Sequence, residues 1–191
     1  MGTYVMRSYR VRDFAPALHN GDVRPAATAG GPSWDVAART ALLASLERRW
    51  PIGTLTAWAP PGGVTYLLDG HRRAGCIAAL LGGDDLVRDL HHADPAYLHA
   101  DDVVAGGSYL PTSVLLETLP FLAAIRGLAS AAADRAHHVA TAVMGASVEV
   151  LTVTTADPNR LVEICDRLVP GRVNARILDG VAGATQAGGR P

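Results

Sequence analysis

Residues 66–81 read Tyr66-Leu-Leu-Asp-Gly-His-Arg-Arg-Ala-Gly-Cys-Ile-Ala-Ala-Leu-Leu81, and the division of this stretch decides the fold. An apolar block ends at Leu68, a polar knot follows from Asp69 to Arg73, and a second apolar block begins at once. The first block, with Val64 and Thr65 before it, has the composition of a strand. The second has helical spacing and stops at the Gly82-Gly83 pair. Asp69, Gly70 and His71 then fall on a tight strand-to-helix turn, and Arg72 and Arg73 fall in the first helical turn. Two guanidinium groups there oppose the helix dipole, whereas an anion held by the free N–H groups of the helix start would resolve the conflict. Gly70 permits both the turn and a close approach by a ligand. The plain alternative is that Asp69 caps the helix and the arginines are solvated.

Working outward, residues 52–58 read as a strand, residues 59–63 as a turn, and residues 64–68 as the hairpin partner. Upstream, Ser33 is placed to cap a helix from Trp34 to about Trp50, ended by Pro51. Residues 4–12 alternate as a first strand, and residues 13–33, rich in Pro, Gly and small polar side chains, read as an exposed loop. Downstream, residues 84–112 mix helical and acidic loop signals and give no clear element. Residues 115–144 suggest one or two helices broken near Gly127, and residues 147–155 a strand. Asp157 and Pro158 supply an N-cap and a first helical residue for a helix to about Leu168. Asn174 is placed to cap a last turn. The order is α+β, with a small mixed sheet and flanking helices: a single domain over residues 1–180 and a flexible tail over 181–191.

The chain has 191 residues, 49% hydrophobic and 18% charged, which is the composition of a globular domain with a real core. With a net charge of −1, no overall basic field argues for a nucleic-acid partner, and only a local basic patch is left open. All 17 basic residues are arginine, so Schiff-base and P-loop lysine chemistry is excluded, and phosphate must be met by Arg, His or backbone N–H. Cys76 and Cys165 fit no metal-ligand spacing and suit a reducing cytoplasm. The N-terminus lacks the apolar core of a signal peptide, Met6 stands where a myristoylation motif needs Ser or Thr, and no apolar run approaches a membrane span. Homo-oligomerisation is left open.

The knot and its context carry a family likeness. "YLLDGHRRAGCIAALL" resembles the DGQQR motif of the N-terminal domain of modification-dependent (type IV) restriction enzymes, the GmrSD family, and more distantly the D-G-H-H-R and G-x-x-R motifs of the ParB/sulfiredoxin superfamily. A helix and a Pro51-Ile52-Gly53 strand lie just upstream, as in that family. Arg24 and Trp34 stand in for its upstream Y-Q-R…W element. The strand and helix of residues 147–168 follow its downstream layout, with Ile164-Cys-Asp-Arg-Leu168 in place of its I-F-x-R-I pattern. Asp69, Gly70 and Arg73 match by identity. His71 and Arg72 replace two glutamines, and His71 matches the histidine of the D-G-H-H-R version. Val169 replaces the expected asparagine, and nothing here is long enough for the family's nuclease domain.

The resemblance implies a ParB/sulfiredoxin-like fold and a nucleotide-phosphate site. Asp69, His71 and Arg73 would be its catalytic residues, and Gly70, Arg72 and Arg73 would hold the phosphates; apart from the resemblance, Gly53 and Thr54, next to the motif hairpin, are placed to present backbone or hydroxyl groups to the same ligand. A nucleoside triphosphate is then the substrate or ligand, Mg²⁺ follows from phosphate chemistry, and the reaction is hydrolysis or phosphoryl transfer. Two other readings stand beside it: a non-catalytic module that kept the phosphate cradle, and an enzyme acting on another small molecule in the same pocket.

Other residues weigh less. Glu47 and Glu149 are candidate bases that read better as solvated side chains. His91-His92 and His137-His138 are adjacent pairs whose members diverge on a helix, and read as surface. Residues 91–102 collect His and Asp in a pattern that reads as an acidic surface loop. Trp34, Trp50 and Trp58 read as core or rim packing, and Cys76 as buried and inert.

Overall fold

The computed structural model describes residues 2–26 and 34–171. Strand β1 (Thr3–Arg10) leads into helix α1 (Val11–His19), followed by a short strand β2 (Val23–Pro25) and helix α2 (Val36–Glu47). The hairpin β3 (Leu55–Trp58) and β4 (Thr65–Asp69) turns into α3 (His71–Ala79). Three short strands follow, β5 (Leu86–Asp89), β6 (Tyr97–His99) and β7 (Tyr109–Pro111). Helices α4 (Thr118–Ile125) and α5 (Ser130–Gly145), strand β8 (Ser147–Thr154) and helix α6 (Pro158–Leu168) complete the described chain.

The main sheet has five strands in the order β1-β8-β3-β4-β2. It is mixed: β1 runs antiparallel to β8, β8 parallel to β3, β3 antiparallel to β4, and β4 parallel to β2. Side-chain parity sorts its two faces. Leu55, Ala57, Leu67, Val148 and Val150 face the principal core, with Leu43 and Leu46 of α2, Ile77 of α3 and Val139 and Val143 of α5. Trp58, Leu68 and Val153 face the other way, onto Leu161 and Cys165 of α6. Each such leucine or isoleucine, almost fully removed from water, contributes about 1.5–3 kcal/mol. Strands β6-β5-β7 form a second, antiparallel sheet whose Leu86, Tyr97 and Leu110 join the principal core.

The expected α+β class, the hairpin, the helix after the knot, the break between α4 and α5, and the strand and helix at 147–168 all stand. Asp157 caps α6 by accepting from the Asn159 N–H at 2.9 Å. Three expectations fail. Residues 13–19 are not exposed loop but part of α1, whose Val11, Phe14 and Ala15 are buried. Pro16 suggests a loop because it withholds one helical N–H, but burial of that apolar face overrides the propensity. Helix α2 starts later than Trp34: Asp35 is its cap, accepting from the Ala38 N–H at 2.7 Å. It also ends before Pro51, in a reversal where Trp50 N–H reaches Ser45 O at 2.8 Å and Arg49 N–H reaches Leu46 O at 3.0 Å. Residues 84–112, with no clear element in the sequence, hold the second sheet. Ser33, Asn174 and the tail lie outside the described residues. Among the described residues no helix is long and apolar enough to cross a membrane.

Candidate functional site

Gly70 makes the turn from β4 into α3 with φ of 86°, in the left-handed region that favours glycine. A Cβ at this position would lie 2.2 Å from Leu55 Cδ2 and 3.1 Å from Arg73 Nη2, so the space is closed as well. The residue at the N-cap position therefore has no side chain to cap the helix, and the N–H groups of His71 and Arg72 have no acceptor among the described residues. Arg72, in the same turn, is exposed. The helix start thus combines N–H donors that find no partner among the described residues with an exposed cationic side chain, a combination suited to an anion.

Arg73 is held differently. Its Nη1 donates to Ile52 O at 2.7 Å and its Nη2 to Thr54 O at 3.2 Å, so the guanidinium is pinned across Gly53. Gly53, at φ of 80°, is the residue that fits there, because a Cβ would lie 2.7 Å from Arg73 Nη1. What Gly53 and Thr54 bring to the knot is therefore room and a carbonyl for the arginine. Asp69 Oδ2 stands 3.8 Å from Arg73 Nη2, with the two side chains 27% and 17% exposed. Asp69 opposes Thr56 where the β3–β4 ladder slips by one residue. The Thr56 hydroxyl is buried and is the one buried side-chain oxygen or nitrogen among the described residues without a hydrogen-bond partner. An orphaned hydroxyl of this kind, one strand from the knot, costs about 1–3 kcal/mol unless something pairs with it.

His71 Nε2 lies 2.7 Å from Leu67 O, the carbonyl that also accepts from the Ala26 N–H at 3.0 Å. A carbonyl only accepts, so Nε2 carries a proton and Nδ1 is the basic nitrogen of the neutral ring. The structure thus brings Asp69, Gly70, His71, Arg72, Arg73, Gly53 and Thr54 into one place, as the sequence pattern implies. Among the described residues no group of three His, Cys, Asp or Glu side chains has metal-binding geometry, which leaves Asp69 as the carboxylate at the knot.

The remaining candidates separate from it. Glu149 lies on β8, opposite Ser8 of β1 and two strands from β4. Trp58 is buried, stacked on Tyr66 at 5.9 Å, with its Nε1 donating to Thr155 O at 2.9 Å. Trp34 packs on the principal core, and Arg24 donates to Gly21 O at 2.9 Å while its strand pairs with β4. His91, His92, His137 and His138 are all exposed. Cys76 is buried, and that burial pushes its thiol up to about 12, well away from a reactive thiolate.

Glu47 is a correction. Far from solvated, it is 8% exposed and bound by Arg88, which donates from Nε and Nη2 to the two carboxylate oxygens at 2.9 Å each. Tyr97 OH donates to Glu47 Oε2 at 2.7 Å. Burial, and then the Glu47 carboxylate, hold the Tyr97 phenol proton on well above its ordinary range. Residues 91–99 are likewise no simple acidic loop: the carbonyls of His92 and Ala93 accept from Arg88, and Tyr97–His99 is a strand. The signal for this cluster is present in the chain. Arg88 alternates in phase with Leu86 and Leu90, and Glu47 follows Leu43 by four residues, so both fall on buried faces.

No family model matches the chain, and no curated protein sequence matches it.

Proposed function

We propose that the Asp69–Arg73 turn binds the phosphates of a nucleoside triphosphate and that the chain hydrolyses it or passes its terminal phosphoryl group to an acceptor. The observation that carries this reading is the start of α3, which no side chain caps and where the His71 and Arg72 N–H groups find no acceptor among the described residues, with Arg72 itself exposed. The resemblance of the knot to the DGQQR motif supports it independently. In this reading the helix N–H groups and Arg72 hold phosphate oxygens. Arg73, pinned to the Ile52 and Thr54 carbonyls, fixes the turn and adds its charge. Asp69 orients the attacking water or acceptor hydroxyl, and His71 takes or returns a proton at Nδ1. In hydrolysis the water oxygen bonds to the γ-phosphorus, the bridging P–O bond breaks, and the nucleoside diphosphate leaves. Mg²⁺ supplies charge neutralisation when bound; Asp69 together with phosphate oxygens suits an ion that uses one or two carboxylates and keeps its waters.

A binding-only module is the second reading, and the Asp69–Arg73 contact favours it, because it gives the carboxylate a structural partner within the turn. Calorimetric titration with ATP, GTP and CTP in Mg²⁺, run beside a phosphate-release assay and repeated on Arg72→Ala, separates the two. Binding and turnover lost together support the enzyme, and binding without turnover supports the module. No binding by the unaltered protein ends both.

A further inference from the structure

A second cationic place lies at the far end of α2. Glu47, Arg48, Arg49, Ala93, Pro95, His138 and Ala142 line a cleft of about 450 Å³, and none of them belongs to the turn at residues 69–73. The carboxylate on its wall is already neutralised, since both Glu47 oxygens are taken by Arg88 and Oε2 also by Tyr97. Asp94, exposed between Ala93 and Pro95, is not among the lining residues. What remains are two guanidinium groups and an imidazole. Neither Arg48 nor Arg49 has a carboxylate partner among the described residues; Arg48 instead lies over the exposed Trp50 ring, 4.9 Å from its centroid.

Two features show that this charge is held in place at a cost. Arg49 has φ of 57° and is the one described residue other than glycine with positive φ. It closes the α2 reversal at the position where glycine is ordinarily found, so an arginine there is strained where glycine would not be. A third cation stands nearby. Arg10 Nη1 donates to Gly145 O at 2.6 Å, and Arg49 Nη2 lies 3.7 Å from where a Cβ on Gly145 would be. Two guanidinium groups thus converge on the end of α5, whose dipole offers only about half a negative charge.

We propose that this cleft is a second anion site, distinct from the turn, that takes a small organic molecule bearing carboxylate or phosphate groups. Arg48 and Arg49 supply charge-assisted, bidentate donors for its oxyanion, His138 supplies a further donor, and Ala93, Pro95 and Ala142 pack against its carbon skeleton. Citrate and inorganic pyrophosphate serve as probes, titrated at low salt by calorimetry and by thermal shift. The variants are Arg49→Gly, which keeps the reversal and removes the guanidinium, and Arg72→Ala, which alters only the turn. The expected result is binding of at least one probe by the unaltered protein and by Arg72→Ala. Arg49→Gly should weaken that binding at least tenfold, while its own Tm in the absence of anion is equal to or above that of the unaltered protein. Citrate alone would make the ligand a polycarboxylate, and pyrophosphate alone a phosphate ester. Unchanged affinity in Arg49→Gly, loss confined to Arg72→Ala, or no binding of either probe would overturn the proposal. Pyrophosphate could also occupy the turn, so its affinity is compared between Arg72→Ala and the double variant Arg72→Ala with Arg49→Gly, where the loss assigned to the cleft is read apart from the turn.

Discussion

Asp69 and Arg73 meet across one turn of chain, and Glu47 and Arg88 meet across 41 residues; the two pairs use the same chemistry to opposite ends. The Glu47–Arg88 pair is closed. Its side chains are 6% and 0% exposed, its guanidinium donates to both carboxylate oxygens and to the carbonyls of Asp89, His92 and Ala93, and Tyr97 adds a third donor to Glu47. Every charge there has an internal answer, and the result is a joint between α2 and the second sheet. The Asp69–Arg73 pair is looser and wetter. It stands 3.8 Å apart with both side chains partly exposed, beside two N–H groups and a buried Thr56 hydroxyl that find no partner among the described residues. A buried pair that is satisfied holds a fold together, whereas a cluster that leaves donors over can serve a ligand.

The largest test of this contrast is Arg88→Ala. Removing one partner of a buried, fully hydrogen-bonded pair leaves the other charge stranded, so stability should fall by about 3–5 kcal/mol in denaturant unfolding. The double variant Glu47→Leu with Arg88→Met should recover much of that loss, because apolar groups of similar volume replace a joint whose net worth is small. A single variant as stable as the parent would show that the pair is not the joint described.

Gly70→Ala comes next. The new Cβ would need to push Leu55 Cδ2 back from 2.2 Å and hold a positive φ, so about 2–3 kcal/mol should be lost from strain and overpacking. It should also cost ligand binding, since Arg73 is 3.1 Å away and must shift. Retained stability would mean that the turn is looser than its geometry.

A smaller effect belongs to the acidic limb of the stability curve. Hydrogen bonding from Arg39 chiefly, against an opposing push from burial and with help from His99, holds the Asp85 carboxyl at about 2, below its ordinary 3.8. A carboxyl lowered by folding adds stability above its unfolded value and loses it as pH falls through its folded one. The Asp85 contribution is therefore complete above pH 4 and fades between about 4 and 2. Asp85 is half exposed and the pair is screened, so Asp85→Asn should flatten that limb by well under about 1 kcal/mol. The readout is the difference in urea midpoint between pH 5 and pH 2.5, which should be smaller in the variant.

What the sequence made legible follows the reach of its signals. The hairpin, the knot and α3 are local: alternation, a Gly-rich turn and a helical period within 30 residues place Asp69–Arg73 on one turn. Helix α1 was hidden because Pro16 argues against a helix, and only the burial of Val11 and Phe14 against distant strands outweighs it. The Glu47–Arg88 joint was hidden for a related reason. A charged residue at a buried phase of a strand or helix looks like noise until its partner is known, and that partner is far away in the chain. The pinning of Arg73 on the Ile52 and Thr54 carbonyls is of the same kind, for its two contacts lie 21 and 19 residues upstream.

The sharpest use of the contrast is the substitution with the least effect on the fold. Arg72 is exposed and makes no hydrogen bond or ion pair among the described residues, so Arg72→Ala should leave stability within about 0.5 kcal/mol of the parent. It also removes a charge that opposes the dipole of α3, which is a reason for the change to be slightly favourable. Arg73→Ala, by contrast, frees the carbonyls of Ile52 and Thr54 and removes the contact with Asp69, and should cost about 1–3 kcal/mol. If both variants lose nucleotide affinity, only the Arg72 result can be assigned to the ligand, because Arg73 also holds the turn in shape. A tenfold loss in Arg72→Ala at unchanged stability would therefore place the phosphate over the helix start, and full affinity in that variant would remove the anion from the turn altogether.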